Sequence, residues 1–372
     1  MYDPFSRAYQ SDPFPTYRQL QEADPVHWSE LRGAWVLTRY ADVVSVLGDG
    51  RFSSAALLDG VTSLVEAGKP YATAGRLLES TLHYSDPPSH TRLRRLVNPV
   101  FSGRAVECMR PRLQTVMGAL LALTPYPQEP DEVYFFANLV SKLFAAEVLG
   151  IPWSDIDMLG AWSASLRFSP LGRDPLLGEG PLHPDSEQAT LRLQEYFSAH
   201  LAQQRSTRSV NLITMLDAVE SRGATLSDDD LVSLCIQVLA GSLETLPNFF
   251  QNSLLVLSDH PEQWHKLNQD PSPRQSLIDE LLRYNKVGEQ VRVTTTDVKL
   301  GNKVLSRGDR VIVLISAANR DGARFPEPDK FDACRRENRH IAFGSGPHYC
   351  LGAALTRLEA EVFVQALRES LS

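Results

Sequence analysis

Residues 343–352 read FGSGPHYCLG, with one cysteine among three glycines and a histidine, just ahead of a helical pattern, TRLEAEVFVQALRESL. A free cysteine is usually a small buried hydrophobe. The neighbours of Cys350 argue otherwise. Gly346 and Gly352 let the backbone turn sharply and come close to a flat partner. The helix that starts just after Cys350 points unpaired N–H groups at the sulfur, which stabilises a thiolate.

The other cysteines, Cys108, Cys235 and Cys334, make no C-x-x-C spacing with it or with each other. Neither a disulfide framework nor a cysteine-built zinc site is therefore suggested. A lone thiolate suits one axial bond to a haem iron. The chain is long enough to bury such a group, since 372 residues exceed the usual domain size. A net charge of -8 argues against a general nucleic-acid binder, which needs a basic stripe. The N-terminal stretch MYDPFSRAYQSDPFPTYRQL has no apolar run for a signal peptide or a span, so a cytoplasmic protein without membrane contact is expected.

Outward from the cysteine, periodicity predicts a mainly α chain with a minor β-sheet, in one domain over residues 1–372. PFPTYRQLQEA reads as a helix, AWVLTRY as a strand and ADVVSVLGD as a helix closed by glycine, which places a small sheet near the N-terminus. Residues 53–86 read as a long loop with short helical turns. Residues 169–187 read as a glycine- and proline-rich connection. The longest pattern, LSDDDLVSLCIQVLAGSLETLPNFFQNSLLVLSD, predicts a central helix of about 30 residues and about 45 Å, capped by Ser227 with Asp230 at capping-box spacing. Pro247 within it predicts a widened or kinked turn near Leu243. After Tyr284 the pattern becomes extended.

Phe343, Gly346, His348, Cys350 and Gly352 match F-x-x-G-x-H-x-C-x-G, and here the chain resembles the cytochrome P450 monooxygenases. The resemblance implies the fold of that family, with haem b held between the central helix and the cysteine loop, and Cys350 as the proximal thiolate that ligates the iron. Thiolate ligation favours O–O cleavage. Phe343 would pack near the sulfur and His348 would reach a haem propionate. His90 and Arg94, four apart in SDPPSHTRLRRLVNPVFS, and Arg292 in VRVTTTDVKL resemble the family's other propionate partners. Glu280 and Arg283 match its E-x-x-R motif, which the family joins to an arginine before the cysteine loop, here Arg335. Their role would be structural. Glu107 and Arg110 share the same spacing, so spacing alone does not distinguish the two pairs.

In the central helix, GSLET resembles the oxygen-activating segment of the family, with Gly241 as its small residue, Glu244 as its acid and Thr245 as its hydroxyl. A hydroxyl beside a carboxylate can relay protons through water. Ser242 stands where the family usually has glycine. Leu57, Leu58, Val287 and Val291, with Val65 and the leucines of the 169–187 connection, make the expected substrate pocket mostly apolar. The resemblance implies a soluble monomeric monooxygenase that oxidises, by hydroxylation in the first instance, a mostly apolar small molecule, with a place in secondary metabolism. Electrons would come from a separate ferredoxin or flavodoxin and its reductase, docking on Arg94, Arg95, Arg110, Arg335, Arg336 and Arg339. A peroxide-driven peroxygenase or an oxidative-coupling enzyme of the same family is the alternative, and a haem-binding protein without turnover is the reading from a different class.

Overall fold

Three aspartates following a serine start the longest element. In the computed structural model, which describes residues 2–66, 72–124, 127, 129–166, 182–207, 209–220, 226–269 and 274–370, the central helix Asp228–Asp259 runs for 32 residues. The Asp230 N–H donates to Ser227 Oγ at 3.1 Å and the Ser227 N–H donates to the Asp230 carboxylate at 3.0 Å. Two orphan donors are thus satisfied, and the aspartates sit at the positive end of the dipole.

The central helix packs between two long helices, Pro130–Leu149 and the C-terminal Ala353–Ser370. Phe250 makes both contacts, with its ring 5.9 Å from Phe144 on one side and 4.6 Å from Phe363 on the other. These aromatic pairs anchor a continuous apolar core. The helix runs on as one element through Pro247. Carbonyls around the proline are taken by side chains: Thr245 Oγ1 donates to the Gly241 carbonyl at 2.7 Å and Asn248 Nδ2 to the Glu244 carbonyl at 3.2 Å.

The sheet differs from the sequence expectation. Its strands are β1 (Val26–Ser29), β2 (Ala34–Leu37), β3 (Phe52–Ser53), β4 (Gln290–Thr294) and β7 (Arg310–Val313), with β5 (Val298–Leu300) and β6 (Lys303–Leu305) forming a separate hairpin. The order is β1-β2-β7-β4-β3, and β2 runs parallel to β7 with Trp35 opposite Val311. The N-terminal strands are therefore completed by the last third of the chain. Their buried faces, Val36 and Leu37 against Ile312 and Val313, need partners that the local sequence does not supply.

The 53–86 stretch is more helical than a loop, with helices at Asp59–Glu66 and Ala72–Ser80. Residues 167–181 of the proline-rich connection lie outside the described residues. Among the described residues no helix is long and apolar enough to cross a membrane.

One core residue sets a pH dependence. Glu359 lies in the C-terminal helix, is 1% exposed, and among the described residues neither carboxylate oxygen has a hydrogen-bond partner. Burial pushes its pKa up to about 8, so the folded state holds a proton that the unfolded chain releases near pH 4.5. Stability is therefore lost as pH rises from 4.5 to about 8, with a ceiling of about 5 kcal/mol. Glu359→Gln should flatten that dependence: thermal melts at pH 5.5 and pH 8.5 should show a gain over the wild type only at the higher pH.

Candidate functional site

The cysteine loop is built by backbone hydrogen bonds. The Cys350 N–H donates to the Phe343 carbonyl at 2.8 Å, the Tyr349 N–H to the Gly346 carbonyl at 3.1 Å, and the Gly344 N–H to the Ile341 carbonyl at 2.8 Å. The C-terminal helix begins at Ala353, and the Gly352 N–H points at the Cys350 sulfur. Burial pushes the Cys350 thiol up, while the Gly352 N–H and the nearby Arg94 and Arg357 guanidinium groups pull it down. Arg357 also lies 4.7 Å over the Phe343 ring. The sequence reading omitted this arginine, although its place two turns up the helix from Cys350 signals it.

Gly346 makes the sharp turn expected of it, against a neighbouring helix. Its φ is +70°, and a Cβ there would come within 2.3 Å of the Leu47 carbonyl oxygen. The end of the Tyr40–Gly48 helix by itself requires a glycine here. At Gly352, by contrast, a Cβ would sit 3.9 Å from the Cys350 sulfur.

Cys350 carries free surface although burial dominates its environment, so the space it faces is internal. The central helix meets the same description. Gly241, Glu244, Thr245 and Asn248 form an exposed stripe at helical spacing, whereas Leu239, Leu246, Pro247 and Phe250 are buried. A polar stripe that opens in the middle of a packed helix fronts a hollow inside the fold.

At the edge of the hollow four basic residues converge. His90 is buried on the Ser89–Val97 helix and His348 is on the cysteine loop, with ring centroids 4.3 Å apart. Arg94 is half-buried, and its Nε donates to Asn98 at 2.7 Å. Arg292, on β4, is 3% exposed and donates only to the Val291 carbonyl at 2.7 Å and the Gln290 side chain at 3.1 Å. Burial pulls its guanidinium down to about 10. Burial, then Arg292 and the neighbouring imidazoles, pull His348 down to about 3.

Among the described residues, neither ring nitrogen of the buried His90 has a hydrogen-bond partner. A buried cation whose hydrogen-bond partners among the described residues are neutral, with Asp86 acting on it only through its charge, calls beside orphaned imidazoles for a further anion. Two propionates meet that demand, and a thiolate-forming cysteine opens on the same space. The residues thus fit haem.

Glu280 and Arg283 lie apart from this chemistry. Both side chains are fully buried, with Arg283 Nε 2.7 Å and Nη2 2.8 Å from the Glu280 carboxylate. Arg335 reaches the same carboxylate at 3.1 Å, and Asn338 donates to it at 3.0 Å. The Glu107–Arg110 pair is partly exposed, and Arg110 also pairs with Glu361 at 2.6 Å. Of the expected pocket, Leu57, Leu58 and Val291 are packed in the core, Val287 packs against the sheet cluster, and the side chains of Val65 and of Leu171, Leu176 and Leu177 lie outside the described residues.

Two pocket residues escaped the sequence reading, His83 and Tyr84. Both have free surface inside a deeply packed region, and Tyr84 feels the charges of Glu244 and Arg292. STLHYSD has no periodicity that could have singled them out.

Comparison with known proteins agrees with this geometry. The family model described as Cytochrome P450 matches residues 274–369. Cytochrome P450 107B1 of Saccharopolyspora erythraea is 33% identical over 376 residues, covering 98% of this chain and 89% of its own. The vitamin D(3) 25-hydroxylase of Pseudonocardia autotrophica is also 33% identical, covering 98% and 88%. The crystal structure of CalO2 superposes with a TM-score of 0.85 at 31% identity, over 99% of this chain and 90% of that one. With a third of the residues shared along nearly the whole length, and the fold superposing over 99% of it, this chain belongs to the cytochrome P450 family.

Proposed function

We propose that Cys350 would hold the iron of haem b in this monooxygenase, with His90, Arg94, Arg292 and His348 as the partners of its propionates. The observation that carries this is the convergence of unmet donors and an inward-facing cysteine on one hollow. When bound, haem b supplies activation of O2 and insertion of one oxygen atom into the substrate. Phe343 and Arg357 pack beside the sulfur, while the Gly352 N–H and the two guanidinium groups favour its anionic form.

Glu244 and Thr245 move protons on the opposite wall. Thr245 Oγ1, held by its hydrogen bond to the Gly241 carbonyl, presents a hydroxyl to water in the hollow, and Glu244 one residue earlier can take up and return a proton. This pair supports the use of O2 rather than added peroxide. Glu280, Arg283 and Arg335 hold the fold around the loop.

The substrate is a small, mostly apolar organic molecule. The relative named as a hydroxylase supports hydroxylation as the reaction. The chain works as one domain and one copy, with a ferredoxin or flavodoxin as electron donor. The basic docking face is narrower than the sequence suggested, because Arg110 and Arg335 are committed to carboxylates and Arg94 to Asn98. Arg95, Arg336 and Arg339 are the exposed members.

The test is the reduced carbon monoxide spectrum of the purified protein, followed by turnover with a surrogate ferredoxin and reductase. A thiolate-type Soret band with substrate-dependent consumption of reducing equivalents is expected, and a histidine-type band would overturn the reading. In the same assay Thr245→Ala should lower product formation by on the order of a hundredfold while hydrogen peroxide accumulates. Full coupling in that variant would remove the relay role.

A further inference from the structure

His83 lies outside every motif that assigns the active site. It follows the Ala72–Ser80 helix in a segment fastened to the central helix: Ser80 Oγ donates to Ser233 Oγ at 3.0 Å and the Leu82 N–H to Gln237 Oε1 at 3.4 Å. Leu82 is buried in the core at 3% exposure, so the chain is anchored immediately before the residue that carries the imidazole. The His83 ring packs edge-on against Tyr84, with centroids 4.5 Å apart. It has free surface, yet it is packed deeply enough that burial dominates its chemistry, so that surface belongs to the internal hollow. Among the described residues neither ring nitrogen has a hydrogen-bond partner.

We propose that His83 determines specificity by hydrogen bonding to a hydroxyl group of the substrate, so that the substrate class is an apolar molecule carrying at least one hydroxyl. This rests on the monooxygenase reading above and adds a polar fixed point to the mostly apolar pocket. Burial, followed by the nearby positive charge of Arg292, pulls the His83 imidazole down to about 4, which leaves it neutral at physiological pH. A neutral imidazole offers one acceptor nitrogen and one N–H, and a hydroxyl can answer either. A carboxylate could not donate to the acceptor nitrogen. An ammonium group could not accept from the N–H, so the hydroxyl is the group that serves whichever nitrogen faces it.

Position supports the role. Tyr84, the next residue, is near enough to Glu244 and to Arg292 for both charges to act on it. His83 therefore sits on the wall between the proton-relay stripe and the anion-binding edge. A hydroxyl fixed there sets which carbon of the substrate faces the reacting centre, and positioning of this kind is a large share of catalytic selectivity.

The experiment uses haem-loaded wild type, His83→Phe and His83→Gln, each first checked for a thiolate-type carbon monoxide spectrum. Each is then titrated with dodecan-1-ol against 1-methoxydodecane, and with 4-cyclohexylphenol against its methyl ether, reading the spin-state change. Wild type should bind the hydroxyl member of a pair about tenfold more tightly, as expected when a buried acceptor loses its donor. His83→Phe should equalise the pair, and His83→Gln should keep part of the preference. Equal binding by the wild type, no response to any of the four compounds, or an undiminished preference in His83→Phe would overturn the assignment. Loss of haem from His83→Phe would assign the residue to the cofactor instead and overturn it as well. Absence of the thiolate band from the wild type would defeat the functional reading itself, a result separable from the others.

Discussion

Cys350→Ser is expected to abolish the thiolate-type Soret band of the reduced carbon monoxide complex, with monooxygenase turnover falling to background. The substitution is close to isosteric and keeps the loop's main-chain bonds, including the 2.8 Å bond from the residue 350 N–H to the Phe343 carbonyl. What changes is the charge that the site can hold. The Gly352 N–H, Arg94 and Arg357 all favour an anion at this position. A serine hydroxyl does not ionise under these conditions, whereas a metal-coordinating thiol is deprotonated outright. Haem uptake can persist in the variant, because His90, Arg94, Arg292 and His348 are untouched. Absorption spectra of the reduced, carbon monoxide-treated variant check the expectation, and a spectrum identical to the wild type would sink the ligand assignment.

The second large effect lies away from the chemistry. Arg283→Leu should destabilise the fold by about 3–5 kcal/mol, a drop in Tm of about 4–6 °C for a chain of this length. The guanidinium is fully buried and holds the Glu280 carboxylate, and it donates to the carbonyls of Asn319 at 2.9 Å and Pro328 at 2.8 Å. Without it the carboxylate keeps, among the described residues, Arg335, Asn338 and the Asp332 N–H as partners, in a fully buried site. Glu107→Ala is the matched control: it removes the same motif spacing from a pair that is partly exposed, where about 0–1 kcal/mol is expected. Thermal unfolding of the two variants side by side checks the contrast. Equal losses would show that burial does not distinguish the pairs.

That contrast also marks where sequence reading stops. Glu280/Arg283 and Glu107/Arg110 are identical as patterns, because i,i+3 spacing places any such pair on one helix face. Only the packing of the irregular segment, which brings the Pro328 and Lys330 carbonyls and Arg335 around one pair, separates a fully buried network from a surface pair. The sheet teaches the same lesson: AWVL is legible as a strand, but its parallel partner lies in residues 310–313, and no local pattern encodes a contact across so many residues.

The sequence alone determined the features that short-range physics writes into neighbouring residues. These are the long helix with its Ser227 capping box, the mainly α composition, and the FGSGPHYCLG loop with a cysteine next to a helix start. Tertiary structure decided the rest. It turned Gly346 toward the Leu47 carbonyl, committed Arg110 to Glu361, left the His90 nitrogens unpaired, and set His83 facing inward. Each of these depends on which distant segments exclude water from a given side chain, and burial of that kind arises only when the whole chain packs.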